Sequence, residues 1–307
     1  MKAADVSSLL SDLGFKLNGL VLRSEALKPE QAAFVVLFPY ILPHEEQQPA
    51  ELPSNHLHIA SFAAANYYSA MVRLLKSAVY SLCQSTGAKR SDFRIGVNSG
   101  LQEKKLALDA GLGFIGRSSL LVNPLYGAAC LIGVLLMPAA LLDPDTSSAQ
   151  LTLAAQLTLA AKPAPATVTT ADGCRNCRAC AEACPSAAID GLAPPGSAYR
   201  RESCLQHWTA SMELPPAIAA CRGARLYGCD ACILACPYTL RRNPQPARDA
   251  VMLLSAKECR PGRSMDQSFL LQRTVPELKV FFKGTCLGRS WLPPEAFQFW
   301  AAQWSQK

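Results

Sequence analysis

Cys174-Arg-Asn-Cys177-Arg-Ala-Cys180-Ala-Glu-Ala-Cys184-Pro185 and, downstream, Cys229-Asp-Ala-Cys232-Ile-Leu-Ala-Cys236-Pro237 are the stretches on which the reading of this chain turns. The first has the spacing C-x2-C-x2-C-x3-C-P, which wraps three thiolates around one iron–sulfur cube and sends the fourth to a second cube. The second ends the same way but has Leu226 where its first cysteine would fall. Two cubes need about eight thiolates, and the two runs leave one place to be filled from outside. Cys204 and Cys221 lie between the runs as candidates. The expected scheme is Cys174, Cys177, Cys180 and Cys236 on one cluster, with Cys184, Cys229, Cys232 and an outside cysteine on the other. Structural zinc also uses paired C-x2-C units, but dense cysteines ending in Cys-Pro match a cube better.

Composition fits that reading. The chain has 307 residues, 50% of them hydrophobic, enough for a substantial core and two domains. MKAADVSSLLSDLGF lacks an apolar signal core, so the expected location is the reducing cytoplasm, where thiols stay available for metal rather than forming a disulfide framework. The longest apolar run, Gly127 to Leu142, is too short for a membrane span and contains Pro138, so it reads as a buried strand and its exit. The formal charge of +7 falls to about +3 once two four-thiolate clusters are counted, too small an excess to argue for nucleic acid alone.

Ahead of the cysteines, residues 1 to 25 read as an amphipathic helix and a short strand, and Ala33 to Tyr40 as a buried strand. His44 to Pro53 is a polar loop. From His58 to Gln84 the apolar spacing predicts one helix, with Asn66-Tyr67-Tyr68 inside it as packing residues and His56 and His58 as caps or surface groups. Phe93 to Val97 reads as a strand, Asn98-Ser99-Gly100 as a turn and Glu103 to Ala110 as a short helix. Gly111-Leu-Gly113-Phe-Ile-Gly116 has the form G-x-G-x-x-G, but a helix precedes it and Pro124 soon follows, so it fails the context of a dinucleotide site. Its glycines instead suit a close backbone approach to something flat or bulky. The direct repeat Ala149 to Ala154 and Ala155 to Ala160, then Lys162-Pro-Ala-Pro-Ala166, mark a linker. The expected divisions are residues 1–146, a linker at 147–171, a cluster domain at 172–242 and a tail at 243–307 whose aromatic groups pack back on the core.

Several stretches resemble the epoxyqueuosine reductases: Ala110 to Val122, Tyr126 to Leu136, the first cysteine run with Ala188-Ile189, Arg200-Arg-Glu-Ser-Cys204, Arg225-Leu-Tyr-Gly-Cys-Asp-Ala-Cys232 and Phe281 to Thr285. The resemblance implies an α/β (α+β) fold: a flavin-reductase- or nitroreductase-like cobalamin-binding catalytic domain at 1–146, then a bacterial-ferredoxin-like double [4Fe–4S] domain. It selects Cys204 as the eighth ligand. It sets Gly113, Gly116, Arg117 and Ser118 against the corrinoid. It further implies a ferredoxin or flavodoxin electron donor, tRNA as a substrate-bearing partner, and no membrane. Where the family has an aspartate offered as proton donor, this chain reads Val97-Asn98-Ser99-Gly100. An amide is no general acid, which leaves Tyr67, Tyr68 or Glu103 beside Asn98 as catalytic candidates. The chain also lacks the helical-repeat extension that many members carry after this core. Cys83, Cys130, Cys221, Cys259 and Cys286 are left over as expected buried thiols.

Overall fold

The computed structural model describes residues 1–46, 53–144 and 173–304. The repeat and the linker expected at 147–171 lie outside the described residues.

Strands β1 (Leu17–Val21), β2 (Gln31–Pro39), β4 (Arg94–Val97) and β7 (Cys130–Pro138) form an antiparallel sheet in the order β1-β2-β7-β4. β2 is buried along almost its whole length because both faces of the sheet are covered. Successive side chains alternate between faces. Phe34, Val36 and Phe38 meet Val6 and Leu10 of α1 (Ala3–Asp12) and Met71, Leu74 and Leu75 of α2 (Tyr67–Thr86). Ala33, Val35 and Leu37 meet Leu106 and Ala107 of α3 (Glu103–Asp109), with Leu112, Leu121 and Tyr126. The N-terminal half is thus a sheet between two helical layers.

The single helix expected from His58 does not form. His56–Ile59 is strand β3, Ser61–Ala63 is a 3-10 turn, and the helix begins only at Tyr67. Asn66 starts it by accepting the Ser69 N–H (3.2 Å) while its amide donates to the Gly284 carbonyl (2.6 Å). The alanines between fit either period, and distant pairing decides. β3 runs parallel to β8 (Arg225–Tyr227) and antiparallel to β9 (Ser264–Asp266). This small sheet takes one strand from each part of the chain. Leu57, Ile59, Leu226 and Met265 pack from it against Leu270, Phe282 and Phe297 of the tail. His56 is therefore a strand residue bonded to Ser264 Oγ (2.9 Å), and His58 is its exposed neighbour.

In the cluster half, α4 (Ala179–Glu182) and α6 (Ala231–Leu234) lie inside the two cysteine runs and pack on one another. Between them comes α5 (Pro216–Arg222). Pro237 opens α7 (Pro237–Leu240), where its missing N–H costs nothing. Among the described residues no helix is long and apolar enough to cross a membrane.

Arg242, at the end of the cluster half, is buried with Glu45 of the N-terminal half. Its Nε donates to Glu45 Oε1 (2.6 Å), and the rest of the guanidinium reaches the carbonyls of Tyr126, Ala129 and Tyr40. Breaking such a pair strands a charge, so Glu45→Gln is expected to lower the unfolding free energy by about 3–5 kcal/mol. Denaturant titration of the anaerobic protein measures this; a loss under about 1 kcal/mol would mean that the carbonyls alone satisfy Arg242.

Candidate functional site

Packing α4 on α6 sorts the cysteines into two groups. Cys180 is pushed up to about 11 by burial and by the neighbouring thiols of Cys174, Cys236 and Cys177. Cys232 is raised further, by burial and then by Cys229, Cys204, Cys180 and Cys184. Each run thus sends its last cysteine to the other run's group. Tyr199 hydrogen-bonds the Cys204 sulfur, which lies within electrostatic reach of Cys229 and Cys232. Cys221 also lies within electrostatic reach of Cys184 but turns its thiol back onto the Ala217 and Ile218 carbonyls of its own helix (3.2 and 3.3 Å).

The donor set suits clusters. Raised thiols mark the electrostatic cost of gathering sulfur ligands without iron, a cost that metal binding offsets by replacing protons. Backbone amides already aim at three of these sulfurs, Arg117 N–H at Cys174 (3.4 Å), Ala188 N–H at Cys184 (3.2 Å) and Ala231 N–H at Cys229. Among the described residues no three His, Cys, Asp or Glu side chains close tightly enough on one point to hold a single ion. Thiolates around one zinc would stand about 3.8 Å apart, given Zn–S bonds of about 2.3 Å.

The glycine stretch folds as a hairpin of β5 (Phe114–Ile115) and β6 (Leu121–Val122). A Cβ on Gly113 would strike the Val122 carbonyl, and one on Gly116 would come within 2.9 Å of the Val122 side chain and 3.5 Å of Cys174 Sγ. These glycines let the hairpin close against the first cysteine loop. Arg117 is buried and turned the same way, donating to the carbonyls of Cys177 (3.1 Å), Ala193 and Arg175 (3.3 Å). Of the four residues expected against the corrinoid, only Ser118 lines the neighbouring cavity.

That cavity has a volume of about 530 Å³ and lies where the halves meet. Tyr40, Phe62, Tyr68, Leu120, Leu131, Tyr227, Ile233 and Trp291 make most of its wall apolar and aromatic, as small-molecule pockets require. Cys204, Cys229 and Cys232 stand in the same wall, so the second cysteine group borders the cavity directly. No histidine is among its lining residues. The mixture of flat aromatic walls, ordered amides and adjacent cluster ligands fits a planar macrocycle. The full bulk of a cobalamin would extend beyond it into the open.

Asn98 and Tyr68 line this cavity; Glu103 does not. Asn98 adopts φ +50 at the end of β4, which aims it past the sheet edge. Glu103 accepts from the Ser99 N–H (2.7 Å) and Oγ (2.9 Å), and burial raises its carboxyl. Burial raises Tyr68 well above the usual phenol range, so it stays protonated. Tyr67 points into the core and packs near Phe38 and Tyr40. Sequence reasoning missed Lys104, whose Nζ stands in the cavity wall and donates to the Ser119 carbonyl (2.8 Å). Its signal was faint: a cation in the first turn after the strand that carries Asn98. It also missed Cys130 and Cys286, both wall residues pushed up to about 12 by burial. Cys259, expected to be buried, is exposed.

Residues 173–239 match the family described as "4Fe-4S double cluster binding domain". An epoxyqueuosine reductase of Francisella cf. novicida (strain Fx1) is 30% identical over 190 residues, which is 60% of this chain and 45% of that one. One from Shewanella oneidensis is 28% identical over 204 residues, 64% of this chain and 45% of that one. The chain therefore spans less than half the length of these relatives. The solved epoxyqueuosine reductases of Streptococcus thermophilus and Bacillus subtilis superpose with TM-scores of 0.65 and 0.66, each at 18% identity over 96% of this chain and 78% of theirs. Another such structure, solved with an epoxyqueuosine-modified tRNA stem loop, gives 0.64 over the same shares. The fold is shared: a mixed α/β body carrying a double [4Fe–4S] domain.

Cys204→Ala is expected to drop iron from about eight to about four per chain, while Cys221→Ala keeps both clusters. Iron analysis and low-temperature EPR of anaerobically reconstituted protein measure this. The reverse pattern would overturn the ligand choice.

Proposed function

We propose that this chain, which is similar in sequence and fold to the epoxyqueuosine reductases and matches a double-cluster domain at 173–239, is a cobalamin-dependent iron–sulfur reductase acting on epoxyqueuosine in tRNA or a closely related group. One observation carries the reading: three ligands of the second cysteine group form part of the cavity wall. Low-potential electrons delivered through cysteine-held cubes have a short way to go to reach anything bound there. A corrinoid in the cavity would supply a reduced cobalt centre able to attack a strained carbon–oxygen bond.

The chain's own groups divide the remaining work. Tyr40, Tyr68, Tyr227 and Trp291 exclude water and offer flat faces for the macrocycle or a base. Asn98 donates and accepts hydrogen bonds at the substrate end, taking the place of the family's carboxylate. Reducing an epoxide to an alkene consumes two electrons and two protons and releases water. Lys104 is the wall residue best suited to deliver a proton, because burial lowers its ammonium toward the working range. A groove of about 780 Å³ along α2 shares Tyr68, Val97 and Arg289 with the cavity and also carries Lys76. It gives a large anionic substrate room to lie outside while its reactive base enters.

Anaerobically reconstituted protein is expected to bind hydroxocobalamin with a changed visible spectrum and to convert an epoxyqueuosine-bearing stem loop to the alkene. Full iron loading without cobalamin retention would leave an electron carrier. Cobalamin retention without conversion would leave a reductase of another substrate.

Lys104→Met is expected to cut turnover about 100-fold without loss of iron or cobalamin. The active form is the protonated amine and its pKa is lowered, so wild-type turnover falls as pH rises, earlier than an ordinary lysine would allow. That alkaline limb disappears in the variant. An unchanged pH–rate profile would remove Lys104 from the chemistry.

A further inference from the structure

The two cysteine groups face different ways. Cys204, Cys229 and Cys232 border the cavity, whereas Cys174, Cys177, Cys180 and Cys236 do not. The first group is therefore the distal one, and it lies under a distinct surface. Arg175 and Arg178 sit between its cysteines, and Arg241 follows Cys236; all three are exposed. Tyr238 lies within electrostatic reach of Cys174, Arg241, Cys236 and Arg175 together, which sets the first and last of these guanidinium groups around the same sulfurs. The Arg178 side chain lies against Gly191, next to Leu192. None of the three arginines joins an ion pair among the described residues. Leu192 and Leu240 stand beside them, 79% and 57% exposed. Two exposed carboxylates share this stretch. Glu182 is one. The other, Asp190, is engaged by the Leu192 and Ala193 amides and lies near Arg200 and Arg117.

From this arrangement we infer that the arginine and leucine surface over the first cysteine group is the docking face for a small acidic one-electron carrier protein of the ferredoxin or flavodoxin class. Exposed guanidinium groups that join no ion pair among the described residues draw in an acidic partner over distances that salt screens, even where one, Arg241, also donates to the Pro237 carbonyl (3.1 Å). Two exposed leucines, one beside Arg178 and one beside Arg241, add the small apolar contacts that a transient electron-transfer encounter needs. At each encounter one electron passes: the carrier is oxidised by one and the first cluster is reduced by one, with no bond made and no proton moved. The inference rests on the reading above only in requiring both clusters.

Stopped-flow reduction of the anaerobic, fully iron-loaded protein tests it. Bleaching of the cluster absorbance is followed after mixing with a reduced acidic plant-type ferredoxin, and separately during photoreduction by a small neutral deazaflavin. Arg175→Glu/Arg178→Glu/Arg241→Glu is expected to slow ferredoxin-driven bleaching at least 10-fold at low salt, with the deazaflavin rate and iron content unchanged. The wild-type rate should fall as salt is added. Should the triple variant lose iron, the wild-type salt dependence decides alone. A salt-independent wild-type rate, or a variant reduced as fast as wild type, overturns the docking face. Neither readout involves cobalamin or tRNA, so the face can stand while the substrate assignment falls, or the reverse.

Discussion

Thiolates repel one another and lose water when gathered, and this constraint governs the molecule. Burial and mutual charge lift Cys180 and Cys232 far from an ordinary thiol, so the sulfurs are held together only because the surrounding chain is committed to holding them. The two short helices cross their last cysteines between groups, Tyr199 fixes Cys204, and the Arg117 and Ala188 amides reach sulfur directly. Arg117 adds a buried positive charge beside the first group, with carbonyls as its hydrogen-bond partners. Metal binding and folding are linked in such a design, because a ligand set that is uphill when empty is stabilising when filled.

The same arrangement sets direction. One group lies beneath an arginine-bearing surface, and the other forms part of a cavity wall. Between the cysteines and the N-terminal half, Arg242 and Glu45 lock a cluster-domain residue into the loop after β2, where that arginine also reaches the Tyr40 and Ala129 carbonyls behind the cavity. Fixed geometry of this kind matters for electron transfer, which depends steeply on distance, and for a pocket made by two halves of a chain.

What could be read in advance was what is local. The cysteine runs declare their chemistry because ligand spacing is a property of a dozen consecutive residues, and β2 declared itself because burial on both faces leaves an unbroken apolar run. The choice between Cys204 and Cys221 was not local: spacing allows both, the family resemblance picks Cys204, and in the fold Cys204 stands in the cavity wall with Cys229 and Cys232 while Cys221 turns its thiol onto its own helix. β3 was misread as helix because its partners lie at Arg225–Tyr227 and Ser264–Asp266, and four residues of alternating burial inside an alanine-rich stretch carry no period of their own. The family resemblance set Arg117 against a corrinoid; its guanidinium donates to the Cys177 and Arg175 carbonyls of the cluster half, a direction no linear pattern encodes. Lys104 escaped notice for the opposite reason: a lysine in an exposed first turn is the commonest thing a helix displays, and only the cavity makes it unusual.

The small sheet of β3, β8 and β9 has a consequence for biosynthesis. Its middle strand emerges from the ribosome early, but the neighbour on one side arrives with the second cysteine run and the neighbour on the other only with Ser264 to Asp266. Until then both edges of His56–Ile59 stay open to any other extended peptide. A chain stopped or cleaved before Ser264 would carry this strand with at least one edge unpaired, and such a chain is a target for chaperones and proteases.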